Sequence, residues 1–239
     1  LGDVYKRQDY EPRDEKKLIS QIQKVFGLVS LSRAIEIDTD MKEIENQLKS
    51  LKFTQKTFRV SVVRADKTFP MRSSELEPMF GGFILDTNPN LKVSLKNYDV
   101  DVIVEIRENK KTYIISEKIP CLGGMPVSTS GRGLLLLSGG IDSPVAGFEI
   151  AKRGMSLSAV HFHSYPYTSE QAKQKVIKLR DIISDYCGNI KLYCVKFTHI
   201  QEEIHKNCDE EYMITIMRRF MMRIAERICL KNKYQAIIT

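Results

Sequence analysis

A hexapeptide with the composition of an anion-binding turn stands near the middle of the sequence. Ser138-Gly139-Gly140-Ile141-Asp142-Ser143 follows four consecutive leucines, 134–137, and precedes a helical pattern. A buried strand that passes at once into a helix brings free backbone N–H groups and the positive end of the helix dipole to one point. Adjacent glycines let the backbone approach a phosphate closely, and the two serines add hydroxyl donors. The hexapeptide therefore predicts a phosphate-binding turn, although Gly-Gly with a serine also serves as a plain strand-to-helix turn.

Asp142 is the unusual member of this turn. A carboxylate beside phosphate oxygens is repulsive unless a cation lies between them, and Mg²⁺ bridging Asp142 and a pyrophosphate removes the conflict. No lysine follows the glycines, so the stretch is not the GxxxxGK[ST] loop, and it is not the dinucleotide motif GxGxxG. We therefore predict Asp142 as the catalytic, Mg²⁺-binding residue of an ATP site.

The surrounding sequence predicts a parallel sheet that positions this turn. Four short apolar runs, LLLL, LSAVHF, KLYCVKF and QAIIT, alternate with helical segments over residues 134–239. Nearly continuous apolar strands separated by helices are typical of an α/β fold with a sheet covered on both faces. Helix starts are predicted at Pro144, at Thr168 with Gln171 and at Thr198 with Gln201, and helix ends at Gly154 and Gly188.

The preceding residues follow a different pattern. A helix is predicted over 14–27 with Gly27 as its C-terminal cap, then strands at VSLSRAIEI and TFRVSVVR, helices starting at Asp40 with Glu43 and at Ser74 with Glu77, and a hairpin of VDVIVEIR with TYIISEKI. Together they indicate a small α+β domain over 14–118. Residues 119–133 are rich in Gly, Ser and Pro and are predicted to be a linker to the domain at 134–239.

Composition restricts the class of protein. The 239 residues are 42% hydrophobic and carry a formal net charge of +7, which suits a polyanionic partner such as nucleic acid. No apolar run reaches the roughly eighteen residues that a membrane span needs, and no leader is recognisable, so we expect a cytoplasmic protein without a membrane partner. The five cysteines have no CxxC pair and no regular spacing, which predicts neither a zinc site nor a disulfide framework.

Several segments resemble one enzyme family. SGGIDS is similar to the PP-loop of the N-type ATP pyrophosphatases. The flanking segments FRVSVVRADKTFPMRSSELEPMFGGFIL, SEKIPCLGGMPVSTSGRG, HFHSYPYTSE and MRRFMMRIAE resemble the tRNA 4-thiouridine synthetase family, also called tRNA sulfurtransferase. The resemblance implies a Rossmann-like PP-loop domain of the adenine nucleotide α-hydrolase type, preceded by a THUMP RNA-binding domain. It also implies that residues 1–13 combine a cloning scar with the end of a ferredoxin-like domain.

The resemblance further implies a reaction. ATP adenylates O4 of the position-eight uridine of tRNA, and a persulfide charged by a cysteine desulfurase replaces the AMP with sulfur. The family's second glycine segment, catalytic lysine and persulfide cysteine would lie beyond Thr239, so we expect a fragment and assign neither Cys208 nor Cys229 to that role. A homodimer and a contribution to thiamine thiazole synthesis are also suggested by the resemblance.

Further site residues come from the strand ends and from the family motifs. The predicted ATP contacts are Leu136, Leu137, Ser138, Gly139, Gly140, Asp142, Ser143, His161, Phe162 and Arg218. His161 with His163 is alternatively a metal pair, and Arg218 alternatively makes a surface ion pair, which is the favoured role of Arg219. Thr168 and Ser169 either cap a helix or contact phosphate or RNA. Arg64, Lys67 and Arg72, around the turn RADKTFPMR, are predicted to contact the tRNA backbone, with solvated surface charge as the alternative.

Two other functions remain open at this point. A small-molecule PP-loop ligase or amidotransferase partner would leave the first 120 residues without a role. A noncatalytic RNA-binding protein with a vestigial nucleotide site is the other alternative, and the intact Asp142 argues against it.

Overall fold

The computed structural model describes residues 14–239, so the predicted scar at 1–13 lies outside the described residues. The chain divides into two units, one of residues 30–120 and one that joins the residues up to Val29 to residues 121–239. The unit boundaries therefore differ from the predicted 14–118, because the first helix belongs with the C-terminal unit. Phe26 explains this difference, since its ring lies 5.2 Å from that of Phe148 and 6.2 Å from that of Tyr186.

That first helix is shorter than predicted. Helix α1 (Glu15–Gln23) ends four residues before the expected cap at Gly27. Gly27 instead adopts a φ of +95° and donates its backbone N–H to the carbonyl of Gly123 at 2.8 Å. The glycine thus forms a turn beside the chain at 121–131, and it does not close the helix.

The unit of residues 30–120 is an α+β domain, as predicted. Its elements are β1 (Ser30–Leu31), β2 (Ala34–Asp38), α2 (Met41–Ser50), β3 (Thr57–Arg64), α3 (Ser73–Thr87), β4 (Lys92–Val93), β5 (Val100–Ile106), β6 (Lys111–Ile115) and β7 (Ile119–Pro120). The main sheet has the order β2-β6-β5-β3-β4, and β1 pairs with β7 separately. The predicted hairpin is confirmed as the antiparallel pair of β5 and β6, and β3 lies parallel to β5.

Local capping explains where the helices of this unit begin. The Asp40 carboxylate accepts hydrogen bonds from the N–H groups of Lys42 and Glu43 at 2.9 and 3.2 Å, which is N-capping as predicted. Glu43, however, accepts from the N–H of Asp38. Helix α3 begins at Ser73, one residue before the expected start, because Glu75 accepts the Arg72 N–H at 2.7 Å.

The C-terminal unit contains the predicted parallel sheet. Its further elements are β8 (Arg132–Leu136), α4 (Asp142–Lys152), β9 (Ser156–His163), α5 (Glu170–Cys187), β10 (Lys191–Lys196), α6 (Thr198–Asn207), α7 (Glu210–Asn232) and β11 (Ala236–Ile238). All neighbouring strands are parallel, in the order β10-β9-β8-β11. The chain moves to one side of β8 for β9 and β10 and to the other side for β11. Strand order therefore reverses at β8, and the crevice beside such a strand is where open α/β sheets bind ligands.

The run of leucines is buried because both faces of β8 are covered. Leu135 and Leu137 pack with Ala151 of α4 and Ile183 of α5, whereas Leu134 packs on the opposite face with Ala225 of α7. Successive side chains of a strand point to opposite faces, so a strand covered twice reads as a continuous apolar run.

Two helix starts in this unit differ from the prediction by one residue. Ser169 rather than Thr168 caps α5, accepting from the Ala172 N–H at 3.2 Å. Thr198 is the first residue of α6 and donates its hydroxyl to the Tyr165 carbonyl at 3.0 Å. Among residues 14–239, no helix combines the length and apolar character that crossing a membrane requires.

Helix α4 lies very close to β8, and Gly147 permits this approach. A Cβ atom at Gly147 would lie 2.6 Å from Cδ2 of Leu135, a side chain with no exposed surface. A fully buried leucine has little room to move, because protein interiors are close-packed. The missing side chain at Gly147 therefore sets how closely α4 follows the end of β8.

Replacing Gly147 with alanine is expected to destabilise the protein. Overpacking costs about 1–3 kcal/mol, which exceeds the roughly 0.5–1 kcal/mol that alanine gains over glycine inside a helix. Gly82→Ala is the matched control, because a Cβ atom at that helical glycine would have no neighbour within 4 Å, and it should be mildly stabilising. Urea unfolding of the wild type and both variants measures the difference. Equal stability of the two variants would contradict the packing argument.

Candidate nucleotide-binding site

The predicted turn lies at the carboxyl end of β8, where strand order reverses. The Leu137 N–H still donates to the carbonyl of Val160 at 2.9 Å, so the sheet extends to that residue. Helix α4 then begins at Asp142, which leaves only residues 138–141 between sheet and helix. The short connection points the first turn of α4 at the edge of the sheet.

Hydrogen bonds between the two serines hold the turn together. The Ser143 hydroxyl accepts the Ser138 N–H at 3.0 Å and lies 3.0 Å from the Ser138 hydroxyl, which in turn accepts the Gly140 N–H at 3.3 Å. Ser143 is only 9% exposed, whereas Ser138 is exposed. In this conformation Ser143 closes the loop, and the first-turn N–H groups of α4 have no carbonyl one turn before them.

Asp142 stands at the start of α4 with its carboxylate free. The side chain is exposed and makes no hydrogen bond or ion pair with any of the residues 14–239. An acidic side chain in the first turn is stabilised by the helix dipole. Its oxygens are therefore available to a cation held between this carboxylate and a bound phosphate, and hard oxygen ligands suit Mg²⁺.

His161 on β9 is buried beside the turn. Its Nδ1 lies 3.1 Å from the carbonyl oxygen of Leu137, and a carbonyl only accepts, so Nδ1 carries the proton. Nε2 is then an acceptor, and it is buried without a hydrogen-bond partner among the described residues. Burial lowers the pKa of His161, although its bond to Leu137 opposes the shift, and the nearby His163 and Lys173 lower the pKa further. The ring is neutral and offers one unused acceptor.

The other predicted contacts at the strand ends are mostly core side chains. Leu137 is 2% exposed, and the ring of Phe162 packs edge-on against Phe197 at 5.6 Å. Leu136 packs, half-buried, on the opposite face of the sheet. Only backbone groups of Leu137 and Phe162 are therefore suited to meet a ligand.

His163 takes part in a hydrogen-bonded loop. Its Nδ1 lies 3.2 Å from the Thr168 hydroxyl, which also accepts the Ser164 N–H at 2.9 Å. No group of three or more His, Cys, Asp or Glu side chains within residues 14–239 is arranged to hold a metal ion. The alternative of a metal pair at His161 and His163 gains no support, and Thr168 and Ser169 act in local structure.

Arg218 approaches the site from the other face of the sheet. Helix α7 leads into β11 and runs antiparallel to it, with Ala225 packed on Leu134. Arg218 lies seven residues before Ala225, about 10 Å along the helix towards the carboxyl edge. It is exposed and borders an open depression with Arg219 and Arg223. The ion pair expected for Arg219 is not found among the described residues, and Arg218 makes none either.

Lys175 is a residue that sequence reasoning missed. A Cβ atom at Gly139 would lie 3.8 Å from Cδ of Lys175, so this lysine of α5 passes over the turn. The hexapeptide contains no lysine, and nothing in the spacing connects residue 139 with a helix more than thirty residues later. A basic residue in the first two turns of the helix after β9 is the one signal that was available.

The basic residues of the other unit have different roles. The Arg64 guanidinium donates to the carbonyl of Met71 and, at 3.3 Å, to that of Lys67, so it ties the turn together. Lys67 and Arg72 are exposed, and their side chains make no hydrogen bond with any residue that the structure describes. The latter two are therefore the ones available to a partner.

Neutral His161 leads to a prediction about pH. Because the pKa of His161 in the folded protein lies below its ordinary 6.5, the unfolded state binds more protons as pH falls through 6.5, and stability is lost below that pH. His161→Asn keeps a donor for the Leu137 carbonyl and does not titrate, so it should reduce the loss of stability between pH 7.5 and 5.5. Urea unfolding at both pH values measures this, with His199→Asn, an exposed site on α6, as control. An unchanged pH dependence in His161→Asn would refute the assignment.

Known proteins match both units of the chain. Residues 128–239 match the family model described as thiamine biosynthesis protein (ThiI), and residues 38–116 match the THUMP domain model. A "Probable tRNA sulfurtransferase" of Alkaliphilus oremlandii is 45% identical over 97% of this chain and 60% of its own length. One of Acetivibrio thermocellus is 49% identical over 97% of this chain and 59% of its own length. The chain thus spans about three fifths of these curated relatives.

Solved structures agree with the sequence matches. The crystal structure of a 4-thiouridine synthetase in complex with RNA and bound ATP superposes with a TM-score of 0.84 at 33% identity, covering 93% of this chain and 59% of that one. PH1313 from Pyrococcus horikoshii superposes with a TM-score of 0.65 at 25% identity, covering 87% of this chain and 82% of that one. With a THUMP domain followed by a ThiI region in one chain, the protein belongs to the tRNA sulfurtransferase, or 4-thiouridine synthetase, family.

Proposed function

We propose that this chain provides the RNA-binding and ATP-binding parts of a tRNA uridine 4-sulfurtransferase. The observation that carries the proposal is the turn 138–143 at the switch point of the sheet, with the Asp142 carboxylate unpaired at the start of α4. The family relationship and the ATP-bound, RNA-bound relative support the same function.

The proposed chemistry begins with adenylation of a uridine in tRNA. The uridine O4 attacks the α-phosphorus of ATP, a P–O bond forms, and the bond from that phosphorus to the bridging oxygen of pyrophosphate breaks. Free N–H groups at the start of α4 bind phosphate oxygens and stabilise the charge that develops on the leaving pyrophosphate. Adenylation converts a poor leaving oxygen into a good one, so that sulfur from a persulfide can displace AMP at C4.

Asp142 is proposed as the residue that holds Mg²⁺. The chemistry of the site fits this ion, because an exposed carboxylate without a protein partner lies where a polyphosphate would bring further oxygens. When bound, Mg²⁺ would neutralise charge on the pyrophosphate as it leaves.

His161 is proposed as a nucleotide contact. Its buried Nε2 is an acceptor without a partner among the described residues, and a buried polar group without a hydrogen bond is costly. A hydroxyl or amino donor of the nucleotide would satisfy it. Gly139, Gly140 and Ser138 would face the phosphates, the backbone of Leu136, Leu137 and Phe162 would face the rest of the nucleotide, and Arg218 would reach the phosphates from the other face of the sheet.

The thiols of the described residues give little support to a persulfide role within this chain. Burial raises the pKa of the Cys187 thiol to about 11, and burial also raises the pKa of Cys229. A thiolate is the reactive form, so both remain protonated at neutral pH. The persulfide is therefore proposed to come from another thiol, charged by a cysteine desulfurase.

The finer parts of the function rest on the family resemblance. They are the position-eight uridine as target, a homodimer, a cytoplasmic location and a second role in thiamine thiazole synthesis. A small-molecule PP-loop ligase and a noncatalytic RNA-binding protein are the outcomes that would replace the proposal.

One assay decides among these functions. The full-length protein is incubated with unmodified tRNA, ATP, Mg²⁺ and a persulfide donor, and 4-thiouridine is detected by its near-ultraviolet absorbance. The proposal predicts the product only when ATP is present. Pyrophosphate release with a small metabolite but no thiolated tRNA would overturn it in favour of a ligase, and tRNA binding without ATP turnover would indicate a noncatalytic protein.

Replacing Asp142 with asparagine tests the metal role. Asp142→Asn should fold normally, because the carboxylate has no partner among the described residues, and it should bind tRNA as the wild type does. Loss of the charge that holds the cation should reduce tRNA-dependent pyrophosphate release about a hundredfold or more. Pyrophosphate release at the wild-type rate would reject the role of Asp142.

The double variant Lys67→Ala/Arg72→Ala tests the RNA contacts of the THUMP domain. Each lost phosphate contact lowers the slope of log affinity against log salt by about one, so tRNA binding should weaken and depend less on salt. Lys42→Ala removes a charge from an exposed site on α2 of the same unit and serves as control. Identical salt slopes for the wild type and the double variant would exclude Lys67 and Arg72 from the interface.

A further inference from the structure

Lys175 lies over the phosphate-binding turn. Its Cδ is 3.8 Å from the position that a Cβ of Gly139 would occupy, which is ordinary van der Waals contact. Gly139 has no side chain, so the methylene stem of the lysine rests on the open backbone of the turn. The ammonium group, two bonds beyond Cδ, is carried by α5 and therefore reaches the turn from outside its own sequence.

The ammonium of Lys175 is not neutralised by the protein. Lys173, on the same helix, pairs with Glu170 at 3.0 Å, and Arg180 pairs with Asp181 at 2.9 Å. Lys175, by contrast, is exposed and makes no ion pair or hydrogen bond with any residue of the range 14–239. Glu170 also lies 3.8 Å from Nε2 of His163, so its charge is already shared between two neighbours.

An unpaired ammonium above such a turn is suited to a polyphosphate. The turn offers N–H groups and the positive end of a helix, but Asp142 brings a negative charge and no lysine follows the glycines. A lysine ammonium supplies three donors and a full positive charge, which is how a lysine contributes in the GxxxxGK[ST] loop.

We propose that Lys175 binds the β- and γ-phosphates of ATP and thereby takes the part that a lysine within the loop plays in other nucleotide sites. The inference rests on the proposed function, since it presumes that the turn 138–143 receives ATP. Because those two phosphates leave together as pyrophosphate, Lys175 stabilises the leaving group in addition to the bound substrate.

The test compares the affinities of ATP, inorganic pyrophosphate and AMP for the full-length protein by titration calorimetry. Lys175→Ala should weaken ATP and pyrophosphate binding about tenfold, since a charge-assisted contact is worth roughly 1.5–3 kcal/mol at most, and should leave AMP binding unchanged. Lys175→Arg should restore ATP affinity to within about threefold of the wild type, because the charge is kept.

Lys178→Ala is the matched control, an exposed lysine one turn further along α5, and it should bind all three ligands as the wild type does. Wild-type ATP affinity in Lys175→Ala overturns the inference and leaves the proposed function intact. An equal loss of AMP and ATP affinity also overturns it, as does a loss confined to tRNA affinity, which would place Lys175 in the RNA interface. If the wild type itself binds no ATP, the proposed function and the inference fail together.

Discussion

The short connection between β8 and α4 is the constraint on which the candidate site depends. Residues 138–141 must carry the chain from a buried strand into a helix that packs directly on that strand. Gly147 allows the close approach to Leu135, and the hydrogen bonds between Ser138 and Ser143 hold the turn. Since the turn is closed by its own side chains, the first N–H groups of α4 are left for a ligand.

The arrangement around this turn separates apolar packing from charge. The strand interiors bury Leu134 and Leu135 on the two faces of the sheet, and polar groups collect only at the carboxyl edge. There the cations come from different helices, Lys175 from α5 on one face and Arg218 from α7 on the other. Neutral His161 adds an acceptor without adding charge. A site of this kind can hold a strongly anionic nucleotide while leaving the Asp142 carboxylate for a cation.

The sequence was sufficient to predict the elements whose patterns are strong. The four apolar runs predicted the parallel sheet, and the alternation at 57–64 with the hairpin that follows predicted the α+β domain, because burial on one face or both leaves a direct periodicity. Asp40 was correctly predicted as an N-cap, since capping is local. The assignment of α1 was not predictable, because it depends on Phe26 meeting Phe148 and Tyr186, which are far away in the chain.

Side-chain roles at the site were predictable only in part. The hexapeptide identified the turn, but not that Ser143 would be engaged within the loop or that the ring of Phe162 would pack on Phe197. Arg64 was grouped with Lys67 and Arg72 by charge alone, whereas its guanidinium bonds backbone carbonyls of the turn. Lys175 escaped notice because its contact with Gly139 is tertiary and follows no motif.

The identity of the products of ATP cleavage is the most direct test of the central claim that the turn 138–143 positions ATP for cleavage between the α- and β-phosphates. ATP labelled in the α-phosphate and ATP labelled in the γ-phosphate are each incubated with the full-length protein, tRNA and Mg²⁺, and the products are separated by chromatography. The account predicts labelled AMP from the first and labelled pyrophosphate from the second, both dependent on tRNA. Labelled ADP from the first and labelled inorganic phosphate from the second would contradict it.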